Sequence, residues 1–304
     1  MKVLKFGGTS VGSAERLRRV VEIVRDAAEA SRGVVVTSAL GGVTNTLVAA
    51  LEARREGTLA TATLTEGLWI RHHVLATGLL RPDSLRTYEG ILQDLVEELA
   101  RLAETAPVTP ALGDAMVAMG ERLAAPLVAL ALQDAGLDAL PQEATILVRT
   151  DATFGAALVD VATTYRQTRA WYAAFPPATI PVVTGFLGAT AAGQTTTLGR
   201  GGSDYSAALL AAALGASVLE RWTDVDGLYT DDPYKNEEAR RLTCLRLEEA
   251  WAWNHAGRLG MHRKALDPLV EAEIPVHVRS TAEPQEPGTW ILPAGYEPIV
   301  AVAS

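Results

Sequence analysis

The 304-residue chain holds one cysteine, Cys244, so neither an internal disulfide framework nor a cysteine metal cluster can form within it. With no mark of an oxidising compartment, the cytoplasm is the default expectation. No apolar run approaches the roughly 20 residues of a membrane span, and no membrane partner is expected. The start, Met1-Lys2-Val3-Leu4-Lys5, runs straight into glycines and lacks the apolar segment of a signal peptide. Excess positive charge is missing too: the net charge of −9 argues against nucleic acid as a general partner. It does not argue against small anionic ligands, which need only local positive charge. No repeat or low-complexity linker divides the chain. A hydrophobic content of 48% with 21% charged residues is that of a globular protein, and the length suits one large domain or two small ones.

The densest chemistry lies in Thr195-Thr196-Thr197-Leu198-Gly199-Arg200-Gly201-Gly202-Ser203-Asp204. Its glycines permit positive φ and close approach of backbone to a ligand. Arg200 offers a planar fork suited to carboxylate or phosphate. Ser203 is the expected N-cap of an apolar helix, Tyr205 to Leu214, that stops at Gly215. A helix N-terminus attracts anions, so the segment reads as a cradle for an anionic substrate beside a carboxylate. The plainer alternative is a glycine-rich turn capping a buried helix.

The chain opens as strand, glycine loop, helix, strand. Val3–Phe6 is β-prone, Gly7–Gly12 a loop, and Ser13 the cap of a helix with Leu17, Val20, Val21, Val24 and Ala28 at helical spacing. Val34–Thr37 is a continuous apolar run, as in a strand buried on both faces. Residues 46–135 are mostly helical in pattern, broken near Gly57, Pro82 and Pro107. Strands are expected at Leu137–Leu140, Ile180–Thr184, Ser217–Glu220, 275–279 and 299–303, with hairpin or edge pieces at 146–154 and 193–198. Helices are expected at about 247–257 and 265–272. This alternation predicts an α/β fold: an open, mainly parallel sheet with helices on both faces. In such sheets ligands bind at the carboxyl ends of strands. Three loops leave strands with suitable chemistry: Gly7–Ser10, Ser38–Asn45 and Gly185–Gly188.

Lys5-Phe6-Gly7-Gly8-Thr9-Ser10-Val11, Ser38-Ala39 through Thr44-Asn45, Gly120-Glu121-Arg122-Leu123, Arg149-Thr150-Asp151, the 195–204 run and Trp222-Thr223-Asp224-Val225-Asp226-Gly227-Leu228-Tyr229 stand in that order along the chain. In this set the sequence resembles aspartate kinases, members of the amino acid kinase family. The resemblance implies a three-layer αβα sandwich with two lobes, an amino-acid lobe over 1–200 and a nucleotide lobe over 201–304. It also implies ATP-dependent phosphorylation of the β-carboxylate of L-aspartate, the first step of aspartate-family amino acid biosynthesis. ATP and Mg²⁺ are the implied cofactors, the ion carried largely by phosphates and water. A homodimer is compatible with the family.

By the same resemblance Lys5 and Asp204 are the catalytic pair. Lys5 would stabilise charge on the transferring phosphoryl group, because catalysis of that reaction is mostly positioning and electrostatics. Asp204 would orient the groups around it, a general base being unnecessary for an ionised carboxylate nucleophile. Gly7, Gly8, Thr9, Gly201 and Gly202 are the expected phosphate cradle. Arg200 would take the α-carboxylate and Glu121 the α-ammonium, with Thr44, Gly185, Phe186 and Ser203 completing the substrate site. Thr223, Asp224, Tyr229, Lys235 and Lys264 fall at nucleotide positions. The chain departs from the family at Tyr234, where an arginine is usual, and at His262-Arg263, where Gly-Ala precedes the lysine. His72-His73 read as solvated helix residues. Many aspartate kinases continue into ACT domains, and no such feedback site is expected within these residues. Two other functions stay open: a sister kinase acting on another acidic amino acid, and a catalytically weak regulatory homologue.

Overall fold

The computed structural model describes residues 1–231, 236, 238–255 and 261–296. Among these residues eight strands form one sheet. β1 (Lys2–Phe6) lies between β2 (Gly33–Thr37) and β7 (Val218–Thr223), both parallel to it. Beyond β2 come β4 (Ile180–Thr184) and β3 (Ala139–Gln142), also parallel. Beyond β7 come β9 (Val276–Ser280), β10 (Thr289–Leu292) and β8 (Cys244–Arg246), and β9–β10 is the antiparallel pair. A separate hairpin, β5 (Leu187–Ala189) and β6 (Thr195–Thr197), feeds the glycine-rich run.

Side chains alternate across β1, and that alternation builds the layers. Leu4 and Phe6 enter a core shared with α1 (Ala14–Ala30), α2 (Val43–Arg55), α3 (Thr61–Thr77), α4 (Pro82–Glu104) and α5 (Pro110–Asp134). Val3 enters the opposite core with α6 (Val161–Ala173), α7 (Gly202–Leu214), α8 (Leu247–His255) and α9 (Arg263–Glu271). The result is the expected αβα sandwich. Its sheet runs unbroken past residue 200, so the two proposed lobes share one sheet.

The start of α1 follows the expected physics: the Ser13 side chain accepts a hydrogen bond from the Arg16 amide. So does the end of α7, where Gly215 takes the left-handed conformation (φ 58°). The start of α7 differs. Gly201, at φ 73°, is the N-cap, and Ser203 sits inside the first turn. The third expected strand begins two residues late, because Gly136 at φ 84° turns the chain and the Leu137 amide bonds back to Leu132. The 146–154 segment makes only isolated bridges at Arg149 and Thr150. The expected strand at 299–303 lies outside the described residues. α5 is, by length and composition, apolar enough to cross a membrane, contrary to the sequence expectation. Its side chains are nevertheless committed to the core, with Met116, Met119, Leu123 and Leu127 fully buried.

Candidate active site

Every loop at the site leaves the carboxyl end of a strand. β1 is followed by Gly7–Gly12, β2 by Ser38–Gly42, and β4 by Gly185-Phe186. The chain crosses from one side of β1 to the other between β2 and β7, and a crevice opens at such a reversal. The loops are locked backbone to backbone. The Gly41 amide donates to the Gly8 carbonyl (2.8 Å), and the Gly185 amide to the Thr37 carbonyl (2.8 Å). A Cβ on Gly8 would stand 2.8 Å from the Ala39 carbonyl oxygen, so glycine is required for the two loops to meet. Arg16 donates to the Thr9 carbonyl (2.7 Å) and Arg71 to the Gly41 carbonyl, so flanking helices hold both loops.

A cleft of about 650 Å³ opens over these loops. Among the expected site residues, Lys5, Gly8, Thr44, Glu121, Phe186, Arg200, Gly201, Gly202, Ser203 and Asp204 line it. Gly7, Thr9 and Gly185 do not line it, and Thr9 is exposed. Gly185 packs on Ser203, where an added Cβ would come within 2.8 Å. The nucleotide candidates among the described residues, Thr223, Asp224, Tyr229 and Lys264, do not line this cleft. Thr223 ends β7 and bonds to Asp224 through its hydroxyl (3.1 Å). The Tyr229 hydroxyl is held by the Asp226 carboxylate (2.9 Å to each oxygen), which in turn pairs with Arg241 (3.1 Å). Lys264 is half-buried in the first turn of α9. Tyr234 and Lys235 lie outside the described residues.

Two buried carboxylates give the cleft its electrostatics. Asp204 Oδ1 is 2.7 Å from Lys5 Nζ and 3.5 Å from Arg221 Nε. Burial pushes its carboxyl upward, but the two cations outweigh burial and hold it below the usual carboxylate range. Glu121, only 2% exposed, accepts from the Ala39 amide through Oε1 (3.1 Å), while Oε2 has no hydrogen-bond partner. Burial drives its carboxyl up to about 8, with the Ala39 amide and the Lys5 charge opposing only part of that rise. Arg200 is exposed at the cleft mouth. The site therefore offers an exposed cation, a buried acceptor oxygen, and an ion pair at a helix N-terminus with backbone amides around it. That set suits a zwitterion and a phosphate together.

The remaining glycines act by packing. Gly202 is helical, not at positive φ, and a Cβ there would stand 2.5 Å from the Phe186 ring. Phe186 itself takes φ 72°, and Ser206 fixes it: the Ser206 hydroxyl accepts from the Phe186 amide (2.9 Å) and donates to the Gly202 carbonyl (3.1 Å). A Cβ on Gly201 would stand 2.5 Å from the Cβ of His262, so this departure from the family pattern packs against the α7 start.

Sequence reading missed Arg221, Asp114 and Ser206. Asp114 accepts from the Gly155 amide (2.9 Å) and from the amide and hydroxyl of Thr197 (2.7 and 3.1 Å), tying α5 to the hairpin that leads into Arg200. Residues 112–134 carry few charges, so an aspartate within that apolar stretch was an available signal. His72 is a correction. It is fully buried, not solvated, with Nδ1 on the Leu68 carbonyl (2.8 Å), and burial lowers its ring pKa to about 4. His73 stacks on Trp69 and bonds Glu89 (2.8 Å).

Comparison with known proteins agrees with this geometry. The chain is 34% identical over 95% of its length to lysine-sensitive aspartokinase 3 of Escherichia coli, and spans 63% of that relative. It is 36% identical to an aspartokinase of Chlamydia trachomatis, again over 95% of this chain and 64% of the relative. The crystal structure of E. coli aspartokinase III in complex with aspartate and ADP superimposes with a TM-score of 0.87 at 34% identity, covering 98% of this chain and 66% of that one. The chain thus spans somewhat under two thirds of the length of these relatives. The model of the amino acid kinase family matches residues 1–280, which takes in every loop of the cleft, and the chain belongs to that family.

Proposed function

We propose that this chain is the catalytic unit of an aspartate kinase, transferring the γ-phosphoryl group of ATP to the β-carboxylate of L-aspartate. One observation carries the reading most strongly: the cleft holds a buried carboxylate with an unpartnered oxygen, Glu121, together with an exposed guanidinium, Arg200. Glu121 would accept the α-ammonium and Arg200 the α-carboxylate, leaving the side-chain carboxylate free to react. An N-acetylated substrate has no ammonium to offer Glu121. The names of the relatives, and the aspartate and ADP in the E. coli structure, support the same substrate pair.

In the reaction a β-carboxylate oxygen forms a bond to the γ-phosphorus while the bond from that phosphorus to the β–γ bridging oxygen breaks. The products are 4-phospho-L-aspartate and ADP, and no proton need be abstracted. Lys5 and the α7 N-terminus at Gly201-Gly202 would face the charge on the transferring group. The glycine-rich loops and the Lys5 ammonium suit phosphate oxygens, and Mg²⁺ would arrive with the nucleotide, held by phosphates and water. The nucleotide itself would extend toward β7 and α9, where Thr223, Asp224, Tyr229 and Lys264 lie, giving a functional division near residue 200. We place the chain in the cytoplasm in amino acid biosynthesis, although some plant relatives are named chloroplastic.

A coupled ATPase assay with hydroxylamine trapping, run with aspartate, glutamate and N-acetylglutamate, tests the proposal. An acyl hydroxamate from aspartate is expected. Its absence overturns the reading: product from another acid would identify a sister kinase, and binding without turnover a regulatory homologue.

A further inference from the structure

Lys5 and Arg221 are each the fourth residue of their strand, and they are direct register partners across the β1–β7 ladder. On β1 Val3, and on β7 Leu219, enter the core beneath α7. Period-two alternation therefore sends Lys5 and Arg221 to that same face, where the first turn of α7 places Asp204. The three groups are almost wholly withdrawn from water: side-chain exposure is 9% for Lys5, 11% for Arg221 and 8% for Asp204. Among the described residues, the other charged side chains that line the cleft are Glu121 on α5 and Arg200 on the loop before α7.

Two cations on one carboxylate create an asymmetry. Lys5 lines the cleft and Arg221 does not. A Lys5–Asp204 pair standing alone would be closed upon itself, since turning the ammonium toward a phosphate would strand a buried carboxylate, a strongly unfavourable change. With Arg221 beside the same oxygen, Asp204 keeps a counter-ion while Lys5 turns away. The geometry points to Arg221 as a positioning residue of the phosphoryl transfer, a second counter-ion on the Asp204 oxygen that Lys5 also holds, set outside the cleft lining, which frees Lys5 for the ligand. This inference rests on the kinase reading above. The depressed carboxyl of Asp204 agrees with it, because both cations contribute to holding that group ionised.

The test uses Arg221→Met, with Arg221→Gln as a second neutral variant should the first fail to fold, and Arg221→Lys as the conservative variant. The expected result is a fall in kcat of at least about tenfold, with KM for aspartate and for ATP within about threefold of the parent. Arg221→Lys should recover most of the loss. In an Asp204→Asn background Arg221→Met should cost nothing more, since the arginine acts through that carboxylate. A ¹³C NMR titration of the Asp204 carboxyl carbon, assigned by its disappearance in Asp204→Asn, should show the midpoint moving upward by about one pH unit or more on loss of Arg221. This readout needs no turnover, so it answers for Arg221 even if the hydroxylamine assay defeats the kinase reading. An unmoved carboxyl midpoint, an unchanged kcat, or an equal loss of kcat with Asp204 already replaced would each overturn the inference.

Discussion

Replacing Glu121 by glutamine should make the ligand-free protein more resistant to alkaline pH while abolishing its grip on the amino acid. Burial is the cause. Glu121 is 2% exposed, with one oxygen on the Ala39 amide and the other without a partner, and its carboxyl titrates near 8 instead of 4.5. A group whose folded pKa is raised stabilises the fold fully below its unfolded pKa, and that contribution is lost as pH climbs toward the folded value. At 1.36 kcal/mol for each tenfold change, the range from 4.5 to about 8 amounts to roughly 5 kcal/mol, of which about 3 kcal/mol has gone by pH 7. A glutamine side chain cannot ionise, so the variant should escape this loss. Thermal melts of both proteins at intervals from pH 5 to pH 8.5 should show the parent falling relative to the variant by several degrees, at about 2 °C per kcal/mol for a chain of this size. Aspartate supplies the missing partner, an ammonium, and should restore the ionised form. Binding at pH 7 should therefore release close to one proton in the parent and none in the variant, read by calorimetry in two buffers of different ionisation enthalpy. Parallel pH dependences for the two proteins would refute the reasoning, because they would mean that Glu121 ionises in the apo fold at no cost.

Arg200→Ala should raise KM for aspartate steeply with little change for ATP; equal effects on both would contradict its assignment to the α-carboxylate. Gly8→Ala must push the Ala39 carbonyl away from a 2.8 Å approach, and an overpacking cost of about 1–3 kcal/mol is expected in denaturant melts. An unchanged midpoint would show that the two loops are not rigidly joined. Asp114→Ala removes acceptors for two amides and a hydroxyl, worth about 2–4 kcal/mol together. Hydrogen exchange should show the extra opening concentrated at Gly155 and Thr197, and protection left intact there would exclude Asp114 as the tie.

What could be read from the sequence divides along a physical line. Ser13, Gly215 and the apolar runs of β2 and β4 act through neighbours a few residues away, and the structure repeats them. The glycine motifs were legible as loops, yet their reasons were not. Gly202 is small because Phe186 lies against it, and Gly201 because His262 does; neither contact is local in sequence. Ser203 looked like a cap because serine usually is one, but the cap position is Gly201 in the left-handed conformation, with no side-chain cap bond, and Ser206 instead ties the Phe186 amide to the Gly202 carbonyl. Arg221 was invisible because its meaning depends on the β1–β7 register, which no pattern within either strand encodes. β5, β8 and β10 are three or four residues long, too short for alternation to declare itself.

The placement of β1 between β2 and β7 has a consequence for how the chain reaches this state. One neighbour follows within about thirty positions, while the other is separated by more than two hundred, as Lys2 pairs with both Gly33 and Val218. Such distant pairing is slow to form, and during synthesis one edge of β1 must wait for most of the chain to emerge. Until β7 arrives, a strand of Val3, Leu4 and Phe6 offers open amides and carbonyls to any passing edge. The lysine near its end is then without Arg221, so the cluster around Asp204 is completed only when the seam between β1 and β7 closes.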